Sequence, residues 1–533
     1  MTDAEAPLAS GAPTNVKAGI LSARAEIVVF VGLFLGLLMG SLDNFVVLTA
    51  LPNIVGDLGQ PNGVTFVVSA YLISSTIAVP IFAKLGDILS RRNVFLAGLG
   101  IFIAGSALAG QSQNLGELIV FRGIQGFGSG CFFPVGLSII AVSFEPAMRA
   151  RVIGALSGVF GIATVAGPFL GSFIVDHTTW RWIFYVNIPI GFVGIAVIAS
   201  ALGALRPSTR ASFDYVGAAL MSGWVGALTY AFYQISNAGW GWTYVWTLVL
   251  FATTAVLLAI FIPFELAHRD PVVPLRLFKN RVIALSGTIS ILSRAVVFSL
   301  FTFLAVFVGV VLYNAGPGSA DTIRDMLWFL VIPMVVGALI GGQAITRVAY
   351  RPLVASGLAL VVIGMFFLTL TNASTPVWAF SYGFLPTGGI VLPLMPMGFG
   401  MGLTLGPTTL MAQNEAPRQD VGAATGLVQF LGLLGASVGL SVFSTFQTWR
   451  YDAIKPAAPP ASCVSSGTPP PSCYPVLAQY HTATVHAIIT SYVDLYTVML
   501  GLAVAAFLVA LFLRGRMIAR GADPTPRPVA VEG

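Results

Sequence analysis

Apolar stretches long enough to cross a bilayer recur from one end of this chain to the other, each closed by a short segment of Gly, Pro and charged residues. About 20 consecutive apolar residues span the hydrocarbon as a helix. By that measure the pattern predicts helices over Ile27–Ala50, Val64–Ala83, Asn93–Gly110, Glu117–Ser143, Val152–Val175 and Ile183–Leu205, then Tyr215–Ser236 and Tyr244–Phe264. A last group follows over Val282–Tyr313, Leu327–Ala344, Leu353–Leu370, Gly383–Ala412, Gly422–Thr445 and Ile489–Leu513. These make about fourteen spans. A basic connection, Glu265 to Arg281, sets the last six apart and predicts an all-α polytopic membrane protein parsed as six, two and six. The expected units are a tail over 1–26, a six-helix bundle over 27–205, two linker helices and their connection over 206–281, a second six-helix bundle over 282–514 with an outside loop over 447–486, and a tail over 515–533.

Composition sharpens this. A chain of 533 residues that is 56% hydrophobic and 9% charged has more apolar surface than a soluble core hides. If the N-terminus is cytoplasmic, twenty of the twenty-six basic residues fall in segments assigned inside. Arg181, Arg324, Arg450 and Lys455 fall outside, and Arg122 and Arg294 lie within spans. That asymmetry supports both the span count and an orientation with N- and C-termini in the cytoplasm. The net charge of +6 is therefore a topology signal, with no nucleic-acid partner implied. The first 26 residues lack a cleavable-signal pattern, so the first span is expected to stay in place. No Gly-x4-Gly-Lys-Ser/Thr run occurs, so no nucleotide site in this chain drives transport. Neither a His/Glu metal spacing nor a nucleophile and base pair falls within the spans, which argues against a membrane enzyme. His177, His268, His481 and His486 all fall in predicted loops.

Charge inside the hydrocarbon is costly, so each buried ionisable residue is a functional candidate. Asp43 and Arg122 lie at similar depth from the outer ends of their spans, and Gln125 is one turn from Arg122, so the three are expected to cluster. Such an aspartate, desolvated yet beside a guanidinium, suits loading and release of a proton; the bland alternative is a structural tie. Arg294 falls twelve residues into the long ninth span. It lines a cavity and meets an anionic group, or, if that helix starts later, snorkels to the interface. Asp494 is expected at the interface, and Phe298, Phe301, Phe303 and Phe307 against lipid or neighbouring helices. In an inside loop, Asp87 beside Lys84, Arg91 and Arg92 makes either ordinary anchoring or a latch between helix ends, with Gly86 supplying a turn.

The run Ala155 to Ser172 carries Ala163, Gly167 and Gly171 at i, i+4 and i+8, a stripe without bulk that lets another helix approach closely, and Pro168, which bends the helix. It reads as a packing device or as a hinge. Cys463 and Cys473, in the outside loop, make either a disulfide or two surface thiols. The chain also echoes itself: Gly130-x3-Pro134 followed by Glu145, Arg149 and Gly154-Ala-Leu-Ser-Gly158 returns as Gly402-x4-Pro407, Glu415, Arg418 and Gly422-Ala-Ala-Thr-Gly426. Repeated halves are how secondary transporters build alternating access.

Together these stretches resemble the major facilitator superfamily, and within it the fourteen-helix drug:proton antiporter branch. Lys84-Leu-Gly-Asp87 with Arg91-Arg92 is similar to the superfamily's loop between helices two and three, which implies an inside gate. Ser41-Leu-Asp43 with Thr49-Ala-Leu-Pro52 resembles the first-helix signature, which implies a protonation role for Asp43. Phe121 to Gly130 resembles the fourth-helix motif, whose arginine is implicated in proton transfer, and the Gly167-Pro168 run resembles the fifth-helix antiporter motif of exporters. Trp180 to Gly191 resembles the start of helix six. Ala83, Ile88 and Ser90 depart from the loop motif's usual glycine, arginine and glycine, and Ala163 and Ser172 replace glycines of the fifth-helix motif.

The resemblance implies a proton-coupled exporter of hydrophobic or amphipathic small molecules in the cell membrane, of multidrug-efflux type, with membrane lipids around it. It is expected to need no cofactor beyond the proton gradient and to work as a monomer. The alternatives are an exporter of a lipid or endogenous metabolite and, from another class, a non-transporting sensor or scaffold on the same fold.

Overall fold

The computed structural model describes residues 23–58, 65–144, 152, 163, 166–201, 213–237, 240–307, 319–344, 347–370, 391–416, 421–460 and 473–514. Helix dominates them. The elements are α1 (Ala23–Leu58), α2 (Thr65–Ile88), α3 (Arg91–Gln111), α4 (Leu115–Ser129), α5 (Phe132–Ser143), α6 (residues 166–177), α7 (Trp182–Tyr185) and α8 (Asn187–Ala201). They continue with α9 (Tyr215–Asn237), α10 (Val245–Ala267), a turn of 3-10 helix (Leu275–Lys279), α11 (Arg281–Val306), α12 (Ser319–Ala344), α13 (Tyr350–Thr369), α14 (Val391–Glu415), α15 (Val421–Ile454) and α16 (Tyr474–Ala510). Among the described residues, 12 helical stretches are long and apolar enough to cross a membrane. Two predicted spans add to these: the fifth, half of which falls outside the described residues, and the twelfth, which is α14, a 25-residue helix whose prolines and glycines dilute its apolar character. The all-α, fourteen-helix reading is consistent with this architecture.

Two spans read as single helices are broken. The fourth is α4 and α5, separated at Gly130 and Cys131; the sixth is α7 and α8, separated at Val186. Both breaks have one cause. Pro134 and Pro189 have no N–H to give to the carbonyls four residues earlier, at Gly130 and Tyr185. The outside loop is shorter than 447–486, because α15 runs on to Ile454 and α16 begins at Tyr474. His481 and His486 therefore lie on a helix, with exposed side chains, and His177 ends α6.

Helix α4 is wedged between α2 and α3, and α14 between α12 and α13. The same device seats both. On α4 and at its C-cap, Gly126 and Gly130 abut the backbone of α2 at Tyr71 and Ser75, while Gly128 abuts α3 at Gly98 and Phe102. On α14, Gly398 and Gly402 abut α12 at Leu330 and Met334, while Gly400 abuts α13 at Gly357. A Cβ at any of these six would overlap backbone, so the spacing i, i+2, i+4 lets one helix press on two neighbours at once. Gly130 and Gly402, paired in the sequence echo, thus hold equivalent places. The first and last groups of helices meet where α2 packs on α15 and α1 on α11, and the linker helix α9 packs on α10, α2 and α15.

Candidate functional site

The start of α4 is fixed by a reciprocal cap. Asn114 Oδ1 accepts from Glu117 N at 2.9 Å, and Glu117 Oε2 accepts from Gln113 N at 2.9 Å. This sets the register that carries Arg122 and Gln125 inward. Arg122 is wholly buried and is the largest such side chain among the described residues; Asp43 is 2% exposed and Gln125 0%.

The predicted trio closes into one network. Arg122 Nη1 donates to Asp43 Oδ2 and, at 2.7 Å, to Gln125 Oε1. Gln125 Nε2 donates to Asp43 Oδ1 at 2.8 Å and to Ser106 Oγ at 3.0 Å. The sequence reading missed two members. Asn187, the first residue of α8, donates through Nδ2 to Asp43 Oδ1 and to Ser106 Oγ, both at 3.1 Å. Ser106 of α3 in turn donates to Phe184 O at 2.9 Å. The break before α8 exposes its first turn and so brings Asn187 to the carboxylate.

Five helices thus converge on one buried carboxylate whose two oxygens take three donors. Arg122 Nε also donates to Val67 O at 3.3 Å, its guanidinium lies 4.2 Å from the Tyr71 ring centroid, and Nη2 has no hydrogen-bond partner among the described residues. Stripped of hydration, the ion pair is held by its geometry and by the hydrogen bonds around it.

Arg294 lies apart from this network, on α11 against Gly432 of α15. Asn280 caps α11 by accepting from Val282 N at 2.9 Å and Ile283 N at 3.3 Å, so the helix does not start late and Arg294 is mid-helix. At the basic end, Arg91 Nε donates to Ser138 Oγ and Arg92 Nη2 to Ala199 O at 2.9 Å. Lys84 Nζ stands 4.0 Å from Asp270 of the connection after α10, and Gly86 is buried against Val135. These contacts tie the helix ends to α5, α8 and the linker; the Asp87 side chain lies outside the described residues.

Of the stripe, Ala163 is buried, Gly167 rests on Phe45, and Gly171 on Val46 and Thr49 of α1; Pro168 is buried, and most of the turns before it lie outside the described residues. The stripe therefore seats α6 on the helix that carries Asp43. At the end opposite the basic loops, Asp57 Oδ2 accepts from Arg181 Nη1 at 2.7 Å and Trp180 Nε1 at 2.9 Å. The hydrogen bond from Arg181, then that from Trp180, hold this carboxyl below the ordinary aspartate range. Asp494 pairs with Arg450 at 2.5 Å. Phe301, Phe303 and Phe307 are buried, with Phe301 meeting Phe45. Cys473 is disulfide-bonded, and Cys463, the partner the sequence offers it, lies outside the described residues; Cys131 is free and buried. Among the described residues no cluster of three His, Cys, Asp or Glu is placed to hold a metal ion.

Comparison with known proteins places this architecture. Over 419 residues the chain is 32% identical to the "Multidrug transporter protein MdtP" of Bacillus subtilis (strain 168), covering 79% of this chain and 75% of the relative. Over 421 residues it is 32% identical to "Multidrug resistance protein 3" of the same organism, covering 79% of each. The fold matches the crystal structure of a bacterial homolog of the human lysosomal transporter Spinster, with a TM-score of 0.61 over 92% of this chain and 98% of that one at 14% identity. Residues 33–440 match the model of the Major Facilitator Superfamily, and the chain belongs to that family of membrane transporters, with a small-molecule cargo and no enzymatic role.

Proposed function

We propose that the protein is a proton-coupled exporter that carries a hydrophobic or amphipathic small molecule out of the cell in exchange for protons, in the manner of multidrug efflux. The names of its relatives support the cargo class. In this reading the basic ends face the cytoplasm, the membrane is the plasma membrane, and the six-helix bundles rock about a central path in a working monomer.

The observation that carries the coupling is the buried Asp43 carboxylate, held by Arg122, Gln125 and Asn187. Three donors fix that carboxylate in a water-excluded setting, so a change in its charge would rearrange the whole network. A proton arriving from outside neutralises Asp43 and releases Arg122, whose guanidinium already has a stacking partner in Tyr71. The freed network relaxes α1 against α4 and biases the bundles toward the inside opening; binding of cargo from the inside releases the proton to the inside, and the loaded protein turns outward.

The test is Asp43→Asn in proteoliposomes with an imposed pH gradient, using a fluorescent amphiphile as cargo. Gradient-driven movement should fall to the leak level of empty liposomes while counterflow of cargo without a gradient persists. Undiminished gradient-driven movement would remove Asp43 from the coupling.

A further inference from the structure

Three arginines lie more than one helical turn inside a described membrane-crossing stretch: Arg122, Arg294 and Arg450. Two are neutralised, Arg122 by Asp43 and Arg450 by Asp494. Arg294 is not: among the described residues no hydrogen bond or ion pair engages its guanidinium. The Asn280 cap starts α11 at Arg281, which puts Arg294 about 20 Å along the helix axis, beyond snorkelling range of the basic end.

Its seat is built. A Cβ at Gly432 would lie 2.6 Å from Arg294 Cδ, 2.7 Å from Nε and 2.9 Å from Cζ, so the end of the side chain lies against the bare backbone of α15. One and two turns farther along, Gly435 and Gly439 clamp the same two helices at Ile291 and Ala295. The side chain is nonetheless partly accessible, and three residues before Gly432 the partly exposed amide of Gln429 also lacks a partner among the described residues. α11 packs on α1 and α15 on α2, so both helices that seat Arg294 take part in the junction between the two groups.

An unpaired cation held in a low-dielectric interior is expensive, and such groups mark ligand paths. Asp43 and Asp494 are already engaged by arginines, so they offer little to a cationic cargo. A guanidinium fork fixed by packing, with spare donors, suits a carboxylate, sulfonate or related oxyanion. We infer that Arg294 is the anion-recognising residue of the transport path, and that the cargo is an amphiphile with an anionic group beside its apolar body. This rests on the exporter reading and names its substrate class.

The experiment uses three fluorescent analogues that share one aromatic body and differ only in head group: sulfonate, uncharged amide and quaternary ammonium. Binding to the detergent-purified full chain and gradient-driven uptake in proteoliposomes are measured for the natural protein, Arg294→Lys and Arg294→Gln, with thermal melting to verify folding. The sulfonate should bind the natural protein at least about tenfold more tightly than the ammonium analogue, as a charge-assisted hydrogen bond predicts. Arg294→Gln should erase that preference, losing much more for the sulfonate than for the amide, and Arg294→Lys should keep part of it. An equal or reversed preference in the natural protein, or a folded Arg294→Gln that keeps the preference, would overturn the assignment while leaving the exporter reading in place. If the natural protein moves none of the three analogues, the exporter reading fails, and the cargo class with it.

Discussion

At the scale of single residues, the Asp43 network makes a demand on stability that differs from its demand on transport. Removing only the carboxylate charge leaves the wholly buried Arg122 without its counter-ion, and breaking a buried pair one-sidedly costs about 3–5 kcal/mol. Removing both charges together costs far less, because no uncompensated ion is left behind. Asp43→Asn should therefore lower the melting temperature in detergent clearly, and adding Arg122→Gln should restore much of it while transport stays absent. A double variant melting as low as the single one would mean that the pair does not act as a unit. This cluster was half legible in the sequence. Asp43 and Arg122 announce themselves as charges in apolar runs, and Gln125 by its helical spacing. Asn187 and Ser106 did not, because small polar side chains are common in membrane helices and carry no positional signal of their own. Asn187 stands inside the quoted Trp180 to Gly191 stretch, and Pro189 two residues later marks the helix start that aims it at Asp43.

At the scale of helices, position is set by glycine as much as by apolar pattern. A Cβ at Gly105 of α3 would lie 2.6 Å from the Gln125 Cα, so α3 and α4 touch backbone to backbone beside the buried ion pair. Gly105→Ala must push α4 outward and carry Arg122 and Gln125 away from Asp43. Displacements of this order in a positioned site reduce rates by about a hundredfold. Gradient-driven transport should fall by that order with the protein still inserted, and a variant of unchanged rate would show that the contact is slack. Apolar runs revealed where helices cross but not where they end. α1 and α16 continue well past the hydrocarbon-length stretch, into segments whose polarity resembles a loop's, and the breaks before α5 and α8 follow from prolines four residues downstream of the carbonyl they leave unpaired. The Asn280 cap was the readable sign that α11 starts at Arg281, and with it the depth of Arg294. The echo between Gly130 and Gly402 was readable too, and it extends to packing but not to the buried charge. The residues four before Gly126 and Gly398 are Arg122 and Leu394, both fully buried, so one copy of the repeat carries a cation where the other is apolar.

At the scale of the molecule, alternating access requires contacts between the first and last groups of helices to open and close at each end in turn. The contact between the groups that we propose takes part is the edge-on packing of Phe45 on Phe301, with ring centroids 5.5 Å apart. Phe45 lies about 33 Å along α1 from Ala23, and Phe301 about 30 Å along α11 from Arg281, so both sit toward the ends opposite the basic loops. Two residues away from Phe45 is Asp43, which means that the helix segment carrying the proposed proton site also makes this contact. Gly167 packs on Phe45 as well, so α6 is seated on the same segment. Replacing Phe45 and Phe301 by cysteines and joining them with a short bifunctional thiol reagent should therefore stop transport. A cleavable reagent should allow recovery on reduction. The chain's own Cys473 is already bonded and Cys131 is buried, so the reagent has few other targets, and the natural protein treated with reductant alone controls for loss of the Cys473 bond. If the joined protein transports at the rate of the unjoined one, this contact does not need to open during the cycle, and the path must run along another face of α1.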